Sequence, residues 1–114
     1  MQQIVDLENS PEFTAENVAL LSLALDSLDE LRAGAQESGI LKTPLLSDPD
    51  QSVSERFDVL KWAIQSGEPG HTFILVDQDG KIAWIKDYGA PDNPNRTMYV
   101  PVEELVQAVR DNLP

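Results

Sequence analysis

The sequence predicts one α/β domain, and three observations carry that prediction. Short, nearly continuous apolar runs alternate with stretches whose apolar residues recur at helical spacing. Two apolar segments flank the turn Asp77-Gln78-Asp79-Gly80, the pattern of a β-hairpin. The chain of 114 residues is long enough for one hydrophobic core and too short for two, so residues 1–114 are expected to form a single domain. With 41% hydrophobic and 25% charged residues the composition is that of an ordinary globular protein, which excludes a disordered or fibrous chain.

In order along the chain, a helix occupies Gln2 to Phe13. The run Val18 to Leu25, closed by Asp26, reads as a strand buried on both faces of a sheet. Ser27, with Glu30 three residues later, opens a helix that places Leu28, Leu31 and Ala35 on one face, and Gly39 closes it. Thr43 to Asp50 reads as a short strand entering a turn, and Pro44 confines that strand to a start or an edge. Val53, Phe57 and Leu60 recur at helical spacing behind a Ser52/Glu55 capping pair. Gln65 to Gly70 is a loop, Thr72–Val76 and Lys81–Lys86 are the hairpin strands, and Tyr88 to Thr97 is irregular. Pro101 opens a last helix with Val102, Leu105, Val106 and Val109 on one face.

Charge and composition narrow the function. Twenty acidic against eight basic residues leave a net charge of −12, which repels phosphate backbones and anionic lipid, so neither nucleic acid nor a membrane surface is an expected partner. The longest apolar stretch falls far short of the roughly 20 residues that span a bilayer. Met1 to Asp6 lacks the basic and apolar regions of a secretory signal, and a cytoplasmic location is expected. There is no cysteine, so this chain holds no disulfide, no thiolate metal site and no thiol nucleophile.

The strand ending in Leu25-Asp26, the segment Leu45-Leu46-Ser47-Asp48-Pro49-Asp50, Phe57-Asp58-Val59 and the hairpin Thr72-Phe73-Ile74-Leu75-Val76-Asp77-Gln78-Asp79-Gly80-Lys81-Ile82 together resemble the peroxiredoxin family. More narrowly, they resemble its alkyl hydroperoxide reductase and thiol-specific antioxidant branch, within the thioredoxin-like superfamily. The resemblance covers Ile4 to Leu113. It implies a thioredoxin-like, three-layer α/β/α fold with a mixed sheet of about four strands, missing the usual central N-terminal strand and the cysteine-bearing turn that follows it. On that reading the domain is N-terminally truncated. The missing strand belongs between Val18–Leu25 and Thr72–Val76, and two apolar edges are left without partners. Either these two strands pair directly, or a second copy or another chain completes the sheet.

Candidate residues are few. His71, the only histidine, stands just before the hairpin in the loop that faces the redox site in the family this chain resembles. It and Thr72 are candidates for facing a substrate or a partner's thiol, against the plainer reading of a loop histidine bonded to backbone. Trp62, with Ile64, is a candidate partner patch against the alternative of core packing. Asp77 and Asp79 lack the later ligands of a calcium loop and read as turn chemistry. Asp48 and Asp50 read as turn and helix-cap residues. No catalytic, metal-binding or cofactor-binding residue is assigned.

Two functions stay open. The chain is part of a redox protein that reduces hydroperoxides or disulfides through a cysteine outside this sequence, and is inactive alone. Alternatively it is a cysteine-free binding or oligomerisation module that keeps the scaffold without the chemistry. A third class, a hydrolytic or metal-dependent enzyme, lacks any recognisable constellation.

Overall fold

The computed structural model describes residues 1–63 and 70–114, and in it the chain forms two compact units, Met1–Val53 and Ser54–Pro114. The loop expected over Gln65–Gly70 lies, apart from Gly70, outside the described residues, as does Ile64.

The first unit opens with two short helices, α1 (Gln2–Glu8) and α2 (Pro11–Ala15), where one helix was expected. The break has a local cause. Ser10 sits in an extended conformation and its Oγ accepts the Phe13 N–H at 3.2 Å, while Pro11 provides a preset first turn. Strand β1 covers only Ser22–Ala24 of the expected Val18–Leu25, and it pairs in parallel with β2 (Leu45–Ser47).

Between them runs α3 (Leu28–Ser38), as a parallel pair requires. Its ends follow the sequence closely. The Ser27 Oγ accepts the Glu30 N–H at 3.2 Å and the Glu30 carboxylate accepts the Ser27 N–H at 3.1 Å, a reciprocal capping box. Gly39, at φ 81°, ends the helix in the left-handed region that a Cβ disfavours. Of the apolar face expected on α3, Leu31 is buried and Leu28 is exposed. Leu7, Phe13 and Ile40 are buried with Leu31.

Helix α4 (Ser52–Arg56) begins as expected, but its cap differs. Asp48, 2% exposed, accepts the Val53 N–H at 3.1 Å, and Asp50 accepts the Ser52 N–H at 3.1 Å. Gln51 turns the chain at φ 62° to bring these carboxylates over the helix start.

The second unit holds a 3-10 turn at Leu60–Trp62 and a hairpin, β3 (Thr72–Val76) against β4 (Ile82–Asp87), antiparallel in the register Thr72↔Asp87, Ile74↔Ile85 and Leu75↔Trp84. The register shifts at Leu75/Val76, where Val76 faces Ile82. The Asp77 carboxylate accepts the Asp79 and Lys81 N–H groups, each at 2.9 Å, and Gly80 takes φ 80°. Helix α5 (Val102–Asn112) follows Pro101 and buries Leu105 and Val106. Leu75, Tyr88, Ala90 and Val100 are also buried in this unit.

The four strands thus form two two-stranded sheets, β1·β2 and β3·β4. Direct pairing of β1 with β3, one way the sheet could have been closed, is absent among the described residues.

Candidate functional site

The open end of the hairpin brings one of the three sequence-predicted residues, Thr72, to a carboxylate. Thr72 begins β3 and Asp87 ends β4, directly opposite each other. The Thr72 hydroxyl donates to Asp87 Oδ1 at 2.9 Å, and the Ala90 N–H donates to Asp87 Oδ2 at 2.8 Å. Gly70 is wedged between these groups and Trp62. A Cβ there would lie 2.6 Å from Asp87 Oδ1 and 3.0 Å from the Trp62 carbonyl oxygen, so the close approach requires glycine. Asp87 was not singled out from the sequence. It comes 15 residues after Thr72, and only the hairpin register brings the two together.

His71 is placed differently. Its carbonyl accepts the Tyr88 N–H at 2.8 Å, continuing the ladder by one pair. Its ring meets Phe73 edge-on, with centroids 5.0 Å apart, and Phe73 meets Tyr88 in the same way at 5.8 Å. Burial holds the imidazole below its ordinary range against the pull of the Asp87 carboxylate, which keeps the ring neutral at pH 7. Burial also pushes the Tyr88 phenol well above its ordinary range, helped by its hydrogen bond to the Glu104 carboxylate and by that group's charge. The Lys86 ammonium sits 4.7 Å above the Tyr88 ring.

Behind the hairpin end, Arg96 Nε donates to the Gly89 carbonyl at 2.8 Å, and the Thr97 N–H donates to the Tyr88 carbonyl at 2.8 Å. Gly89 packs so tightly that a Cβ would stand 2.7 Å from the His71 nitrogen. Beside this framework lies a shallow cleft of about 450 Å³, walled by Trp62, Ile85, Asp87, Ala90, Asp92 and Pro94. Trp62 is half-buried, and the Lys61 ammonium lies 4.5 Å over its ring.

The arrangement can bind and orient, but it holds no activated nucleophile. The Thr72 hydroxyl donates a hydrogen bond to a carboxylate that already accepts the Ala90 N–H on its other oxygen, and the chain has no thiolate. Among the described residues no three His, Cys, Asp or Glu side chains gather closely enough to hold a metal ion. Asp48, Asp50 and Asp77 act as caps and turn formers, as read from the sequence.

Comparison with known proteins adds the family context. The profile of the AhpC/TSA family matches residues 2–85. No curated protein sequence matches the chain. Among solved structures, the reduced 2-Cys peroxiredoxin of Plasmodium vivax superposes with a TM-score of 0.72 at 22% identity, over 96% of this chain and 66% of that one. AhpC of Mycobacterium tuberculosis superposes with a TM-score of 0.69 at 20% identity, over 96% of this chain and 58% of that one. The mitochondrial 2-Cys peroxiredoxin of Plasmodium falciparum gives 0.69 at 20% identity, over 96% and 64%. At these identities the likeness is one of fold, the thioredoxin-like fold, and the chain spans 58 to 66% of the length of these structures.

Proposed function

Because the chain belongs to the AhpC/TSA family, we propose that it is the cysteine-free portion of a thioredoxin-like redox domain. It serves thiol-dependent reduction of hydroperoxides or disulfides only when a cysteine is supplied by polypeptide outside these 114 residues. The observation that carries the proposal is the absence of any cysteine from a chain that matches a thiol-based family over residues 2–85.

Reducing a hydroperoxide requires a thiolate to attack the distal oxygen. The O–O bond breaks, sulfur is oxidised to a sulfenic acid, and the alkoxide leaves with a proton. Neither a hydroxyl bonded to Asp87 nor a neutral imidazole replaces that sulfur. In this reading Thr72, His71 and the Trp62 cleft face the incoming thiol or its substrate, and the open sheet is completed by a second copy or by another chain.

The chain alone, mixed with cumene hydroperoxide and dithiothreitol, is expected to consume no peroxide above the thiol-only background. Turnover by the purified chain would overturn the proposal. The second reading, a cysteine-free binding or oligomerisation module, is favoured by the exposed apolar residues on both sheets, among them Leu23, Leu46, Val76 and Ile82. The gene sequence preceding the codon for Met1 separates the two. An in-frame strand with a cysteine-bearing turn supports the redox reading, and a start site with no such segment supports the module.

A further inference from the structure

The connector between α3 and β2 carries backbone donors that its own elements do not use. The N–H groups of Gly39 and Ile40 both return to the Ala35 carbonyl and close α3, at 2.9 and 3.0 Å. Pro44 has no N–H, and its carbonyl accepts the Ser22 N–H at 3.0 Å, where the β1·β2 pairing begins. Leu41, Lys42 and Thr43 lie between these two anchors and outside both elements. Their three N–H groups, with the Thr43 hydroxyl, converge on one carboxylate, which Glu8 delivers from 33 to 35 residues earlier in the chain.

The connector is fixed at both ends without Glu8, by the left-handed cap at Gly39 and by the register of Leu45 with Ser22. Successive backbone N–H groups that converge in this way make an anion-binding concavity, and Glu8 fills a site that it does not build. Two features say what else fits. Four donors on two oxygens match a carboxylate, whereas a neutral amide offers one acceptor oxygen and leaves donors unpaired. Beside them the Leu41 side chain is 87% exposed, and the Lys42 ammonium is the one charge that residues 41–43 carry.

We propose that residues 41–43 form a carboxylate-binding site that Glu8 occupies as a displaceable latch. Its external ligand is a carboxylate borne next to an apolar side chain, as at the C-terminus of a polypeptide. The backbone donors and the Thr43 hydroxyl hold the two oxygens, Lys42 adds attraction, and the apolar side chain covers Leu41. Because Glu8 belongs to the same chain, it competes at a high effective concentration, and the site stays closed until Glu8 is removed or outcompeted. The proposal needs no redox chemistry and stands apart from the reading above.

The test removes the latch. Leu7, 1% exposed, still anchors α1 in Glu8→Ala, so that variant is expected to fold. Its Leu41, Lys42 and Thr43 amide proton resonances are expected to move upfield as their acceptor is lost. N-acetyl-leucine is expected to return them downfield saturably, at lower concentration than acetate, while the neutral N-acetyl-leucinamide leaves them in place. The parent chain is expected to need at least roughly tenfold more N-acetyl-leucine than the variant. Ionic strength is held constant with sodium chloride, because the chain's net charge of −12 repels any added anion. Glu8→Gln, which keeps the size of the side chain, carries the same test if Glu8→Ala does not fold. Amides that respond to neither acid would overturn the proposal, as would an equal response to N-acetyl-leucinamide or equal affinities of parent and variant. Acetate binding as tightly as N-acetyl-leucine would overturn the chain-end assignment and make a small free acid the ligand.

Discussion

Glu8 does more for the first unit than its place at the end of α1 indicates. Its Oε2 accepts the N–H groups of Leu41 and Lys42 at 3.0 and 3.1 Å, and its Oε1 accepts the Thr43 N–H at 3.4 Å and hydroxyl at 3.0 Å. One carboxylate thereby ties the entry of β2 to the N-terminal helix. Desolvation pushes the Glu8 carboxyl up, but the bonds from Leu41, Thr43 and Lys42 together outweigh it and hold the group below its usual value of 4.5. A folded value below the unfolded one means that this stabilisation is present above the unfolded value and disappears as pH falls through the folded one. Glu8→Gln leaves fewer acceptor sites and no charge, and is expected to cost ~1–2 kcal/mol at pH 7 after discounting for solvent screening. Urea denaturation at pH 7 and at pH 3 checks this, with the difference from the parent chain shrinking at the lower pH. An equal difference at both values would show that the carboxylate charge is not what binds the loop.

At the scale of elements, the signals confined to a few residues were legible in the sequence, and those spanning the fold were not. Ser27, Glu30 and Gly39 bound α3 as read, because a cap is chemistry among neighbours. The hairpin was legible for the same reason, through Asp77 and Gly80. Two signals misled. Ser52 and Glu55 have the spacing of a capping box, yet the positive φ at Gln51 brings Asp48 over the helix start instead. The run Val18–Leu25 is apolar but for Ser22, yet only Ser22–Ala24 finds a partner strand, because β2 is three residues long. The hub at Asp87 was hidden because its partners are set by strand register. Asp48 offers a direct test of the helix start. Asp48→Ala removes the acceptor from the Val53 N–H at a nearly inaccessible position, and is expected to cost about 0.5–2 kcal/mol in chemical denaturation. Asp48→Asn, which keeps an acceptor, is expected to recover most of it. If both variants lose the same stability, the carboxylate's contribution lies elsewhere than in the cap.

For the whole molecule, charge sets the remaining balance. Twenty carboxylates stand against eight basic side chains, so there are too few cations to neutralise most of the acidic groups. An exposed pair such as Lys61 with Asp58, at 3.2 Å, contributes little against that background. Folding compresses these charges, and the repulsion acts over distances that a Debye length of about 10 Å at 0.1 M salt begins to screen. Raising sodium chloride from about 0.02 to 0.5 M is therefore expected to stabilise the chain by ~1 kcal/mol, which for a domain near this size raises Tm by about 4–8 °C. The measurement is repeated over a range of protein concentrations, so that any concentration-dependent stabilisation from association is separated from screening. Sodium sulfate at equal ionic strength separates screening from the general strengthening of apolar burial, because sulfate adds the second effect to the first. A Tm that is flat in chloride and rises only in sulfate would show that apolar burial, and not charge repulsion, limits the stability of the fold.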